Sequence, residues 1–384
     1  MDQPASKKHP KGLYVLFFTE MWERFGYYLM VGILFLYLTD SRTGGKGYDT
    51  RMGADVVGSF IALVYLTPFI GGLIADRYLG YIKAVFLGGG LMAAGYIGLS
   101  FPGNTAMYIS LGLIIIGNGF FKPNISTLLG NIYNKEELKP LKDSAYNIFY
   151  MGINIGALVC NFVAAYLRNN YGWGYAFAAA GVGLILGLVW LASGIKHIRH
   201  ADIKKPMQPG DMPLSKIFLS VFLPMIVFGT VGWMLPGNIF GSDSNDAFIL
   251  ACLPVIFFYV RLWRTGNGED KKSIGSLLFI FTISIIFWTI YNQNSTGLTI
   301  WAETYTSRQV APAVESVAGK IDMLQNVSTE PGEVNKVDEY LRVVTDAEGK
   351  PVKTQGPNPY FNNLPREDWP GNGSELKLMN AELF

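Results

Sequence analysis

Apolar runs of about 20 residues, the length that crosses the hydrocarbon core of a bilayer, recur in this chain from residue 13 to residue 300. They fall near 13–39, 53–75, 82–101, 105–132, 144–167, 172–195, 214–235, 245–263 and 274–300. Lipid offers backbone N–H and C=O groups no water, so each run is predicted to be an α-helix that closes its own hydrogen bonds. The first run is no cleavable signal peptide, because it is too long and carries charges near its centre. Composition agrees: 16% of the 384 residues are charged, against about 25% in soluble proteins. A net charge of +2 leaves no basic footprint for nucleic acid. Cys160 and Cys252 sit inside apolar runs without the His or Cys neighbours of a metal site. The pattern predicts an all-α integral membrane protein.

Charges between the runs set the expected orientation. Lys7, Lys8 and Lys11, then Arg77 and Lys83, then Lys135, Lys139 and Lys142 mark one side. Lys196, Arg199, Lys204 and Lys205, and Arg261, Arg264, Lys271 and Lys272, fall on that side too. The opposite links carry no charge, only Arg168, or Asp243 and Asp246 without a cation. The first-to-second link, with Arg42, Lys46 and Arg51, dissents. The positive-inside rule therefore predicts a cytoplasmic N-terminus and an exocytoplasmic segment 301–384. That segment has no apolar run and is rich in Pro, Gly, Asn and charge, with short helices or strands expected in 311–327 and 334–346.

Ionisable groups inside the runs are the informative residues, since each costs roughly 2.5–3.5 kcal/mol at a helix centre on the insertion scale. The first run reads FFTEMWERFGYYLM and holds Glu20, Glu23 and Arg24; the fourth reads GNGFFKPNIS and holds Lys122. Two carboxylates and two cations would neutralise one another if these helices face each other. Glu20 and Arg24 are four apart and share a helix face, and Glu23 is three from Glu20. One reading is a buried ion-pair network that fixes packing, although desolvation makes such networks poor sources of stability. The other gives the charges work: carboxylates that exchange protons as their partners change, and cations that grip an anionic substrate. Pro123, after Lys122, is expected to loosen its helix and free a carbonyl, and broken helices near a midplane mark transporter sites. Trp22, Phe25, Tyr27, Tyr28, Tyr65, Trp288 and Tyr291 gather in the same runs, as do Asn118, Asn124, Asn147, Asn154, Asn161, Asn292 and Asn294. For any one aromatic, packing competes with lining a wet cavity. GGLIADRYLG at 71–80 places Asp76 and Arg77 at a run's cytoplasmic end, as a solvated loop or as a conformational latch.

Together TEMWERFGYY at 19–28, GGLIADRYLG at 71–80, GNGFFKPNISTLLG at 117–130, FYMGINIGA at 149–157 and FWTIYNQNSTGL at 287–298 resemble the proton-coupled oligopeptide transporter (POT) family of the major facilitator superfamily. The resemblance covers residues 13 to about 302. It implies a six-helix N-terminal half at 1–197, a linker and two inserted helices at 198–272, the first helix of a C-terminal half at 273–300, and a periplasmic or extracellular loop at 301–384. Glu20, Glu23 and Arg24 match the family's Glu-x-x-Glu-Arg motif of proton coupling, with Arg24 also near the peptide carboxylate. Lys122 matches the fourth-helix lysine that pairs with acidic groups and helps hold that carboxylate. Asn154 matches the contact to the peptide backbone, and Tyr27, Tyr28, Tyr65 and Trp288 match pocket-lining positions. Asp76 and Arg77 match the superfamily's switch motif. Where many members carry a gate pair of Arg and Glu, this chain has Val31 and Asn292, so a different latch, from Arg51 and Glu303, is expected. The family has about twelve core helices, so the sequence is expected to be incomplete, with LKLMNAELF at 376–384 approaching a further span.

The resemblance implies a proton-driven symporter of the inner (plasma) membrane that imports di- and tripeptides by alternating access. No cofactor beyond the coupling proton, no metal and no nucleic-acid partner are expected, and the protein should be monomeric or weakly oligomeric in the bilayer. Nitrate, an amino acid or another small solute is the alternative cargo, and a membrane scaffold the alternative class. The runs contain no His, no GxSxG and only Asp55 near one outer end, so no enzyme is expected.

Overall fold

The computed structural model describes residues 8–204, 213–336, 338, 344–346, 352–358, 360–361 and 374–383. Lys7, Lys205 and residues 337 and 339–343 of the 334–346 stretch, named above, lie outside these. Six long helices come first: α1 (Lys11–Thr39), α2 (Thr50–Ile74), α3 (Tyr81–Gly98), α4 (Asn104–Ile132), α5 (Lys142–Tyr171) and α6 (Trp173–Gly194). A second set follows: α7 (Leu214–Ile217), a π turn, α8 (Leu223–Met234), α9 (Asp243–Thr265), α10 (Gly268–Tyr291) and α11 (Gly297–Ile300). The first eight expected runs therefore form helices, with boundaries within a few residues of those read from the sequence. Eight helical segments among the described residues are long and apolar enough to cross a membrane. The 29-residue α1 is about 43 Å long, but Glu20, Glu23 and Arg24 lower its hydropathy.

The chain divides into two compact units, one of residues 1–53, 60–206 and 298–384, the other of 54–59 and 207–297. In the first, α1 packs against α5 and α6, and α3 against α4 and α6. Small residues set the distances. A Cβ on Gly71 would collide with the Gly119 carbonyl, so glycine there lets α2 lie against the backbone of α4. In the second unit α8 packs on α9. The turn between them is held by fully buried Asp246, which accepts from Ile239 N (2.8 Å) and Phe240 N (2.7 Å).

Two sequence expectations are corrected. The helix carrying Lys122 is not broken: α4 runs through Pro123 to Ile132. Proline does remove the donor to the Gly119 carbonyl. Asn124 Nδ2, however, donates to Phe120 O (2.7 Å), Thr127 Oγ1 donates to Pro123 O (2.9 Å), and α2 packs on that turn. The ninth run, conversely, is not one helix: α10 stops at Tyr291, a 3₁₀ turn spans Asn292–Ser295, and a π turn spans Trp301–Tyr305. Its Asn and Ser side chains compete for backbone partners, and Gly297 weakens the helix further. Near the end of the described residues, Glu375–Met379 is a strand, β4, and Ala381–Leu383 a 3₁₀ turn.

The described residues after 300 form a small folded cap. It contains α12 (Pro312–Lys320) and β1 (Leu324–Ser328), β2 (Gly332–Asn335) and β3 (Lys353–Gly356) before β4. β1 pairs antiparallel with β4, Leu324 opposite Met379, and β2 with β3, Gly332 opposite Gly356. Val327, Tyr360, Phe361 and Leu378 form its interior, while Ala318 and Met323 pack on Ala165 of α5. Arg168 of α5 donates to Glu382 Oε2 (2.9 Å) and Gln325 Oε1 (2.8 Å), and Asn169 to Asn380 Oδ1 (2.9 Å). Ser41 and Arg42 of the α1–α2 loop donate to Glu333 O (3.1 Å) and Gly356 O (3.0 Å).

Asp40 organises that loop. Its carboxylate accepts from Arg42 N (2.9 Å), Thr43 N (3.0 Å), Thr43 Oγ1 (2.6 Å), Gly45 N (3.0 Å) and Trp173 Nε1 (3.0 Å). Burial pushes its carboxyl up, but these bonds to the ionised form more than offset that and hold it below the ordinary carboxylate value. A depressed carboxylate contributes stability that is complete above its unfolded value and is lost as pH falls through its folded one. Thermal melting against pH should thus show an acid limb below about pH 4 that flattens in Asp40→Asn. Arg168→Glu should expose the β1–β4 pair to protease, and the swap Arg168→Glu with Glu382→Arg should restore protection, as limited proteolysis would read.

Candidate functional site

The centre of the site is three charges within one turn and a half of α1. Glu20, Glu23 and Arg24 retain 3%, 0% and 4% exposure, so water cannot solvate them. Arg24 Nη2 donates to Glu23 Oε1 (2.7 Å), and Arg24 Nε donates to Glu23 Oε2. The same Nε lies 3.2 Å from Glu20 Oε1. The Glu20–Arg24 contact is the one their spacing predicts. The fork onto Glu23 is not, because adjacent residues point to different helix faces. Burial forces it: a guanidinium out of water takes the nearest bidentate acceptor, and its flexible stem lets it turn there.

Lys122 brings a second cation from α4, where it interacts electrostatically with Glu20, Glu23 and Arg24. Among the described residues it makes no ion pair within 4.0 Å. Its ammonium stands 4.8 Å from the centre of the Tyr65 ring of α2, and the Arg24 guanidinium 5.1 Å from that of Tyr27. Tyr28 meets Tyr27 edge to face at 5.6 Å. The four charges sum to zero, and the two cations are cushioned on aromatic faces, which attract cations by their quadrupole. An anion entering here could be met by Lys122 without breaking an existing ion pair.

The remaining sequence candidates are distributed more widely. Asn154 of α5 is exposed and donates to Tyr150 O (3.2 Å); two residues on, Gly156 packs against α1 beside the Arg24 Cβ. Trp288 belongs to the second unit, edge-on to Phe287 (5.4 Å) and Tyr291 (5.3 Å) of α10. Asp76 and Arg77 lie in a π turn, Ala75–Leu79, that prolongs α2, not in a solvated loop. Gly80 closes it at φ +80°, a conformation glycine adopts without strain. Of the proposed latch pair, Glu303 interacts electrostatically with Arg168 and Arg308, while the Arg51 N–H caps α2 through Asp49 (2.9 Å). No group of three His, Cys, Asp or Glu among the described residues could hold a metal ion.

Sequence reasoning missed two residues. Asp202, taken for a linker residue, accepts from Tyr81 N (2.6 Å) and so caps α3 directly after the Asp76–Arg77 turn, where Lys204 Nζ donates to Tyr78 O (2.6 Å). Tyr96, a lone tyrosine in the apolar run of α3, is fully buried and interacts electrostatically with Glu23 and Arg24. Neither carries a local signal, since each acts across the chain. Arg24→Ala would strand two buried carboxylates and should cost about 3–5 kcal/mol, read as a lowered melting temperature. Replacing all four charges, Lys122 included, by Gln, Gln, Met and Met should recover most of that loss.

The sequence model of the POT family matches residues 82–317. The uncharacterized transporter YclF of Bacillus subtilis (strain 168) is 35% identical over 301 residues, 77% of this chain and 60% of its own length. The di-/tripeptide transporter of Lactococcus lactis subsp. lactis (strain IL1403) is 32% identical over 308 residues, 77% of this chain and 61% of its own. The crystal structure of a peptide transporter POT in complex with sulfate superposes with a TM-score of 0.67 at 33% identity, over 81% of this chain and 64% of that one. A POT family transporter in complex with 5-aminolevulinic acid gives 0.67 at 28% identity, over 81% and 65%. The chain thus spans about three fifths of the length of the curated relatives it matches. The all-α transporter fold expected from the motifs is the fold these structures share with it. With eight apolar helices of spanning length, this is a multi-pass membrane protein, and it belongs to the POT family.

Proposed function

We propose that the protein acts as a proton-coupled symporter that imports di- and tripeptides by alternating access across the inner membrane, N-terminus cytoplasmic. The observation that carries this reading is Arg24 shared between two buried carboxylates, with Lys122 close by and free of any ion pair within 4.0 Å among the described residues. Protonation of Glu20 or Glu23 removes one of the two charges that hold Arg24. The guanidinium then turns to the peptide carboxylate, which Lys122 binds as well. Asn154 takes the peptide backbone, and Tyr27, Tyr28, Tyr65 and Trp288 take its side chains. Residues 1–197 and the half beginning at 273 rock about the bound peptide, Asp76 and Arg77 governing the switch. Release of the proton to the cytoplasm restores the original pairs. Names of relatives support the cargo: a di-/tripeptide transporter and peptide transporter structures are among the matches.

A second reading keeps the fold and changes the cargo to another small amphoteric solute, which the relative holding 5-aminolevulinic acid favours. Uptake of labelled dialanine into proteoliposomes under an imposed pH gradient tests both. The gradient should raise the initial rate, and Glu23→Gln should abolish that rise. Equal uptake with and without the gradient, or unimpaired driven uptake in Glu23→Gln, overturns coupling, whereas no dialanine uptake at all overturns the peptide assignment.

A further inference from the structure

The cap is joined to the first unit at several separate places. At the end of α5, Arg168 divides its guanidinium between Glu382 Oε2 (2.9 Å) and Gln325 Oε1 (2.8 Å). Its neighbour Asn169 donates to Asn380 Oδ1 (2.9 Å), and Asn380 Nδ2 donates back to Asn169 Oδ1 (3.1 Å). Asn380 is fully buried and also donates to Glu382 Oε1 (3.0 Å). Arg308, 1% exposed, staples β4 to the chain arriving from α11: Nη1 donates to Met379 O (2.8 Å) and Nη2 to Glu303 O (3.3 Å). Lys353 Nζ of β3 donates to Gly47 O (3.3 Å) in the α1–α2 loop, beside the bonds that Ser41 and Arg42 make to the cap.

These links close a ring. The Arg168 guanidinium lies 4.4 Å from the centre of the Trp173 ring at the start of α6, Trp173 Nε1 donates to Asp40, and Asp40 accepts from the backbone of Arg42. Arg42 Nη2 donates to Gly356 O of β3, β3 pairs with β2, and β2 follows β1, whose Gln325 returns to Arg168. In a ring of this kind each broken link is kept near its partner by the others and re-forms as an intramolecular contact. A gate standing in for the pair absent at Val31 and Asn292 would have to open in every cycle, which a single ion pair can do. Undocking the cap has to break all these bonds together and wet the contact of Ala318 and Met323 with Ala165.

We infer that the cap is a clasp that stays closed through the transport cycle, locking the α1–α2 loop to the α5–α6 corner and holding the chain that leaves α10 on the first unit. The chain enters that unit at residue 298, and Arg308 is its first buried anchor there. The outer ends of α1, α2, α5 and α6 then move as one body with the cap, and opening on that side is left to other elements. The clasp also accounts for Arg42 and Arg168, two cations at the outer ends of the helices that the substrate site does not use. Its persistence during transport rests on the alternating-access reading above; the docking itself does not.

Ala318, 3% exposed against α5, and its neighbour Val317, 62% exposed, report docking as Ala318→Cys and Val317→Cys, each combined with Cys160→Ala and Cys252→Ser. In proteoliposomes a membrane-impermeant maleimide should label A318C about tenfold more slowly than V317C, and no faster during driven dialanine uptake than at rest. Equal labelling of the two at rest overturns the docking. Labelling of A318C that rises during uptake overturns the closed clasp and leaves the function standing. Asn169→Cys with Asn380→Cys, in the same background and joined by a short bifunctional thiosulfonate, should keep driven uptake within about twofold of the same protein after reduction. Loss of uptake on linking, recovered by reduction, overturns the inference as well. Wild-type protein that takes up no dialanine overturns the functional reading together with the clasp's part in transport, and A318C labelling at rest still decides the docking. Should the linked pair fail to fold, A318C decides.

Discussion

A guanidinium taken out of water inside a helix bundle is the constraint on which the first unit is built. Arg24 cannot be deprotonated to escape the cost of burial, so the fold must bring it acceptors. Glu20 and Glu23 supply them from the same helix. Two carboxylates overcompensate one cation, and Lys122 restores neutrality from α4. That requirement brings α1 and α4 together, and the glycines that let α2, α3 and α5 approach them follow from the same need for close packing. An apolar core of equal volume would be as stable or more so. Retention of four charges in a bundle whose buried side chains are mostly apolar is therefore better explained by use than by stability.

Use depends on the cluster being able to rearrange. Arg24 sits between two partners of unequal hold, bidentate to Glu23 and single to Glu20. Lys122 rests on a tyrosine ring instead of a carboxylate, an arrangement that leaves it able to accept an anion. A cluster in which every donor had one fixed acceptor would resist exchange.

The cap formed after residue 300 shows a second use of buried polarity. Arg168 and Asn169 at the end of α5, with Ser41 and Arg42 of the α1–α2 loop, fasten it to the first unit by hydrogen bonds to side chains and strand carbonyls. Its composition, rich in Gly, Pro and Asn, suggested a loop without revealing these attachments. Arg42 had counted against the charge rule for orientation; in the structure its guanidinium is spent on the carbonyl of Gly356. A cation engaged by a folded cap is a structural element more than a topogenic signal.

The sequence by itself determined the helices, because a bilayer leaves the backbone of a long apolar run no alternative to closing its own hydrogen bonds. It also singled out four charges, since an ionisable side chain at the centre of such a run stands out against its surroundings. Glu20, Glu23, Arg24 and Lys122 were legible for that reason, and so was the Glu20–Arg24 contact, which follows from helical spacing. Only the tertiary structure decided the rest. The fork of Arg24 onto its neighbour Glu23 depends on burial by the surrounding helices, and the intact turn at Pro123 on the side chains and helix packed against it. Tyr96 and Asp202 act on residues far from them in sequence, Tyr96 on Glu23 and Asp202 on the start of α3. Local pattern records what a residue does to its own helix; what it does to another helix is fixed only when packing removes the water that would otherwise satisfy it.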